Sequence, residues 1–257
     1  MAIEFLNARR RWHETLGARL TLLLVLAAAA IVGVRFGLLN VPSEVFTTKV
    51  GELRTVALPD STQVTLAPLT VLKVDRKYGD GTRGVDLSGE AFFEVRQDST
   101  RPFHVRAFGT ITESSGAASF AVRAFTGDSV VSAVVADGSA TVRLANSPES
   151  PGAVLNANDA VQLDARTFAA HILRGVVAES MTGWRAGHLD FTNASLGDVA
   201  AELKRWYGIT THFEKPELAA RPVSYSIPTN DLAKALEVMH RSIVVQFEQK
   251  GDTLFVR

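Results

Sequence analysis

Cysteine is absent from all 257 residues, which removes disulfides, thiolate nucleophiles and thiolate metal sites together. A surplus of either charge is absent too: 27 basic and 27 acidic side chains leave no global field to draw the chain toward nucleic acid or a strongly charged substrate. Catalytic signatures are missing as well. There is no GxSxG, no HExxH, no P-loop glycine and lysine pair and no dinucleotide glycine fingerprint. The histidines (His13, His104, His171, His188, His212 and His240) lack metal-ligand spacing. The expectation is a protein that is not an enzyme, binds no nucleic acid and carries no cofactor or metal.

One long apolar run is present. Residues 20–34 read LTLLLVLAAAAIVGV without a charge, and the stretch continues past Arg35 to residue 39. At ~1.5 Å per residue this run makes ~30 Å of helix, the thickness of a bilayer core. Arg35 stands near its end, where a long side chain reaches the headgroups. Arg9, Arg10, Arg11 and Arg19 outweigh Glu4 and Glu14 on the preceding flank, which places the N-terminus in the cytoplasm. The expected order is a short basic cytoplasmic segment at 1–19, one transmembrane helix at 20–39 and an exported bulk, giving a single-pass inner-membrane protein. A cleaved signal peptide, with its apolar stretch at 20–26 and small residues at 27–30, is the rival reading and exports the same bulk.

From residue 49 to about 173 the apolar residues alternate in short runs, as strands do when side chains point to opposite faces. Val56 and Leu58 precede a Pro59-Asp60 turn, and Val64 and Leu66 follow it. Val85 with Leu87, Phe93 with Val95, Phe103 with Val105, Phe120 with Val122, Val130 with Val134, Val142 with Leu144 and Val161 with Leu163 continue the pattern. Gly79-Asp80-Gly81, Gly89, Gly127-Asp128, Asp137-Gly138 and Asn158-Asp159 punctuate it as turns. Such spacing means a mainly β domain, expected at 45–178, built as a sandwich, roll or solenoid. Glu90 and Glu94 share one strand face with Phe92 and read as a solvated surface.

Near residues 181–184 the period changes to a helical one. Ser195 is a good N-cap with Asp198 in the first turn, Leu196, Val199, Leu203 and Trp206 share one face, and Gly208 suits a left-handed C-terminal cap. Strands are expected at 188–191 and 209–213. A second unit has a strand at 223–227, a helix at 231–240, a strand at 243–248 and a last strand at 254–256. A shift of 36 residues places Phe191 on Ile227, Leu196 on Leu232 and Leu203 on Met239, a weak internal repeat. The expectation for 182–257 is a small α/β domain of two βαβ units. Trp184, Phe191, Trp206 and Tyr207 are the candidate partner-contact residues, because bulky aromatics dominate binding hot spots when exposed. Core packing also fits Trp206, and an interdomain plug also fits Trp184.

The motifs in order are Gly51-Glu52, VALPDSTQVTL at 56–66, VDLSGEAFFEV at 85–95, RPFHV at 101–105, Asp137-Gly138 and WRAGHLDF at 184–191. They are followed by Leu196, Val199, Glu202-Leu203 and Arg205-Trp206-Tyr207-Gly208. Together, and over nearly everything from about residue 10 onward, they resemble the FecR family. That family comprises single-pass regulators connecting an outer-membrane TonB-dependent transporter to an extracytoplasmic-function sigma factor. The resemblance implies a periplasmic β-domain followed by a domain similar to the secretin and TonB short N-terminal domain. Its implied partners are the transporter's signalling domain outside and an extracytoplasmic-function sigma factor, or a separate anti-sigma chain, inside. Three departures stand out: Ser61 replaces the usual glycine of a PDG turn, residues 116–120 (GAASF) blur a GT-x-F step, and only 19 residues precede the membrane run, a short cytoplasmic anti-sigma region. The alternative function is a membrane-tethered envelope binding or assembly module without cytoplasmic output.

Overall fold

Alternation of inward and outward side chains becomes a curled sheet in the computed structural model, which describes residues 44–257 except 148, 150, 243 and 244. The basic segment 1–19 and the membrane run 20–39 lie outside the described residues. Strands β1 (Val45–Thr47), β2 (Arg54–Ala57), β3 (Gln63–Leu66) and β4 (Val71–Val74) lead into the long β5 (Arg83–Val95). After it come β6 (Phe103–Ala107), β7 (Thr110–Ser114), β8 (Ala118–Ala124) and β9 (Val130–Asp137). Then follow β10 (Ser139–Leu144), β11 (Ala153–Asn156), β12 (Asp159–Asp164) and β13 (Ala170–Arg174).

These strands form two layers that share β5. One layer runs β1-β4-β5-β6-β7-β10-β11 and the other β2-β3-β5-β8-β9-β12-β13. The first half of β5 pairs with β4 and β6, the second with β3 and β8. Gly89 sits at the change of layer with φ +123°, and a Cβ there would stand 2.7 Å from Thr70 Cα. Only glycine serves at such a bend. A straight thirteen-residue strand would run ~43 Å, yet the buried Arg83 at its start hydrogen-bonds the Arg96 carbonyl just beyond its end, at 2.9 and 3.0 Å. The strand therefore rolls over on itself. Of the open alternatives, the chain adopts the roll, and Gly89, expected as a turn, is a bend inside one strand.

The space between the layers holds one core. Val85, Leu87, Ala91, Phe93 and Val95 of β5 point into it with Phe103 and Phe120. The Phe93 ring centroid lies 5.7 Å from that of Phe103 and 5.4 Å from that of Phe120, favourable aromatic spacings. At the Pro59-Asp60 turn, Ser61 adopts φ +68°, the conformation a glycine would hold without strain.

A short helix α1 (Ala178–Met181) and a 3-10 turn (Gly183–Ala186) lead to β14 (His188–Ser195), α2 (Leu196–Tyr207) and β15 (Thr210–Phe213). Strand β16 (Pro222–Pro228), helix α3 (Leu232–Ser242), β17 (Phe247–Lys250) and β18 (Thr253–Val256) complete the lobe. The order strand-helix-strand is as expected in each half. The pairing corrects the expectation of two βαβ units: β14 pairs antiparallel with β16 of the other half, and β15 pairs parallel with β18. Cross-strand contacts decide this. Leu189 lies opposite Ile227, both buried, and the rings of Phe191 and Tyr225 meet edge to face at 5.6 Å. The strand expected at 243–248 begins at Phe247, and residues 243 and 244 lie outside the described set.

The repeat is deeper than its apolar positions. Ser195 Oγ caps α2 by accepting from the Asp198 amide at 3.0 Å, and 36 residues on Asp231 Oδ1 caps α3 by accepting from the Lys234 amide at 2.9 Å. Val199 and Ala235, equally spaced, are both fully buried. Gly208 closes α2 at φ +74°.

A candidate docking seam between roll and lobe

The second layer of the roll is buried on both faces at its central strands β5, β8, β9 and β12. Its inner residues fill the core, while Phe92, Ala121, Val134 and Ala160 on its outer face join Trp184, Leu196, Val199, Leu203 and Trp206 of the lobe in a second apolar cluster. Residues 44–257 form one compact unit as a result. Trp184, 3% exposed, is the plug of this seam, and Trp206, 6% exposed, packs in it. Phe191 is half-buried against Tyr225. Tyr207 is half-buried, its hydroxyl donates to the Pro228 carbonyl, and burial, with Asp231 nearby, pushes its pKa to about 12. Trp184 and Trp206 are members of this cluster, and Phe191 and Tyr207 both pack against it, Phe191 from the β14-β16 pair.

Charges cross the seam as well. Arg123 of β8 donates to Glu90 Oε2 of β5 at 2.9 Å, to Asp128 Oδ2 at 2.9 Å and to Glu202 Oε1 of α2 at 2.5 Å. Arg205 of α2 donates to the same Glu202 oxygen at 2.7 Å and also to Asp128. Trp206 Nε1 donates to Glu202 Oε2 at 3.1 Å. The Phe125 ring lies under both guanidiniums, 3.9 Å from Arg205 and 5.0 Å from Arg123. Two cations thus face three carboxylates.

That imbalance falls on Glu90. Burial, helped by the Glu202 charge and opposed by Arg123, raises its pKa to about 7. Glu202 is also buried, but Arg123 and Arg205 outweigh that burial and hold its pKa low. For Arg123 burial works against the charge, and Glu202, Glu90 and Asp128 overcome it. Trp184 Nε1 has no partner at hydrogen-bond distance among the described residues, yet it lies near enough to Glu90 to favour its negative form. The reading of Glu90 and Glu94 as one solvated face is corrected here: Glu94 is exposed, but Glu90 is buried under the lobe. Sequence reasoning missed the network. Its signal is Glu202, a carboxylate inside the apolar stripe of α2, where a charge requires buried partners.

A second point of contact is backbone to backbone. The Gly51 amide donates to the Arg205 carbonyl at 3.0 Å, and a Cβ on Gly51 would come within 2.9 Å of the Trp206 carbonyl. Beside this contact opens a cleft of about 560 Å³, lined by Gly51, Leu53, Arg185, Trp206, Tyr207 and Asn230 among others. Two of the four aromatic residues singled out in the sequence, Trp206 and Tyr207, line it.

Fold and seam define a two-part module: a β-roll with an α/β lobe fastened to one layer by an apolar plug and a buried charge network. Residues 44–141 match the family described as FecR protein, and residues 188–256 match FecR, C-terminal. The chain belongs to the FecR family. Its fold is shared with a candidate anti-sigma factor from Parabacteroides distasonis ATCC 8503, solved by crystallography at 1.65 Å and at 2.50 Å. Both crystal structures superpose with a TM-score of 0.76 at 24% identity, covering 83% and 84% of this chain and 98% of that one. No curated protein matches the sequence.

Proposed function

We propose that the chain regulates an extracytoplasmic-function sigma factor by relaying, through protein contacts alone, the state of an outer-membrane TonB-dependent transporter. In this reading residues 20–39 anchor it in the inner membrane, residues 1–19 face the cytoplasm and the roll and lobe lie in the periplasm. The lobe receives the transporter's signalling domain, and the roll carries the message toward the membrane run. The observation that supports this most is the FecR match over roll and lobe alike. Rigid coupling at the seam is what such a relay requires, since a loosely tethered lobe would bind without passing anything on.

Co-expression with the sigma factor encoded nearest to the gene, with a promoter dependent on that factor driving a reporter, tests the reading. Removing 182–257 is expected to uncouple reporter output from transporter ligand while leaving the chain in the membrane. A reporter indifferent both to the chain and to this truncation would sink it, and would favour a membrane-tethered envelope module.

A further inference from the structure

The cleft beside the seam carries a cation with no counterion among the described residues. Burying Trp184 in the 3-10 turn forces the next residue outward, so Arg185 is exposed at the cleft lip. Its guanidinium lies 3.5 Å from the centroid of the Phe92 ring, which engages the flat face of the group and leaves its edge donors free. Among the described residues no carboxylate pairs with Arg185, while Arg123 meets three and Arg205 two. The side chains of Thr229 and Asn230 likewise have no hydrogen-bond partner among the described residues. Leu53, 41% exposed, and Tyr207 supply an apolar wall. The cleft's volume falls within the ~300–1,000 Å³ usual for binding clefts.

We infer that this cleft docks an extended segment of a partner protein in which an aspartate or glutamate stands beside a large apolar residue. The carboxylate pairs edge-on with Arg185, held ready by Phe92; the apolar side chain covers Leu53 and Tyr207; Thr229 and Asn230 bond the segment's main chain. An acidic occupant follows from the unmatched charge, and a peptide follows from the adjoining free amide and hydroxyl. The inference rests on the proposed function only in taking the occupant to be part of a protein.

The probe is a random twelve-residue peptide display library, selected against the full chain in detergent, against Arg185→Gln and against Asn230→Asp. The second variant leaves Arg185 in place and sets a competing carboxylate across the cleft. Asn230 is exposed and its variant is expected to melt where the native chain does, while Arg185→Gln gives up the stacking on Phe92 and is expected to melt only a few degrees lower. The native chain is expected to enrich peptides with Asp or Glu within two residues of Phe, Tyr, Trp, Leu or Ile, and neither variant to enrich them. The best peptide, measured by calorimetry, should bind about tenfold or more weakly to Arg185→Gln, and as weakly when its acid is replaced by the amide. Enrichment of the same peptides by the variants, of basic peptides, or of none overturns the inference. If acidic peptides bind through Arg185 while the sigma reporter stays silent, the docking site stands and the regulatory reading falls.

Discussion

Raising the pH should loosen the seam through one carboxyl. Glu90 is pushed from an ordinary 4.5 up to about 7 in the folded chain, because burial disfavours its charge and the Glu202 carboxylate adds to that, by more than Arg123 offsets. Below pH 4.5 folded and unfolded chains both carry the proton. Between 4.5 and about 7 the unfolded chain releases it while the folded one keeps it, so folding stability falls as pH rises and levels off above. At ~1.4 kcal/mol per pH unit, the loss over that window is roughly 3 kcal/mol. Glu90→Gln keeps the shape and removes the titration. Urea unfolding of the native chain and of Glu90→Gln, at about pH 4 and about pH 8.5, should show the gap between them shifting by roughly 3 kcal/mol against the native chain. Carboxyls remote from Glu90 titrate alike in both and cancel; Glu202, which shares Arg123 with Glu90, stays ionised at both pH values because its pKa is held low. Parallel stability curves would refute the reasoning, and so would a native chain that gains relative to the variant.

Trp184→Ala should destabilise by about 3–5 kcal/mol in chemical denaturation and expose the chain around 175–183 to protease, because it empties the plug of the seam. Glu202→Ala should cost about 3–5 kcal/mol by the same assay, since it strips Arg123, Arg205 and Trp206 of a shared acceptor. Ser61→Gly should raise stability by about 0.5–1 kcal/mol, read as a higher melting temperature, because φ +68° strains serine. Gly89→Ala should lower it by about 2 kcal/mol or more, since the added methyl meets Thr70 backbone at a bend only glycine adopts.

Where one residue's environment is local, the sequence was readable. The alternation in β5, the Ser195 cap, the apolar face of α2 and the Gly208 stop each follow from short-range geometry, and the structure places them as read. What failed is whatever depends on a third element. Glu90 looks solvated on a lone strand and is buried only because a lobe a hundred residues away covers that face. Strand pairing in the lobe is not legible in the sequence, because helical spacing tells which face is inside but not which strand lies alongside. Choosing the roll over the sandwich or solenoid required the contact between Arg83 and Arg96 across the curled β5. Within the candidate site, the aromatic residues were visible as residues. Their burial was not, and neither was the free charge of Arg185 beside them.

The exchange of strands between β14 and β16 bears on how the lobe can be taken apart. Each half contributes strands that pair with strands of the other, so either half taken alone leaves strand edges bare. A single cut in the connection between β15 and β16 should leave two fragments that stay together and reassemble after mixing. The lobe is in effect a dimer written on one chain, with the 36-residue spacing marking its two copies.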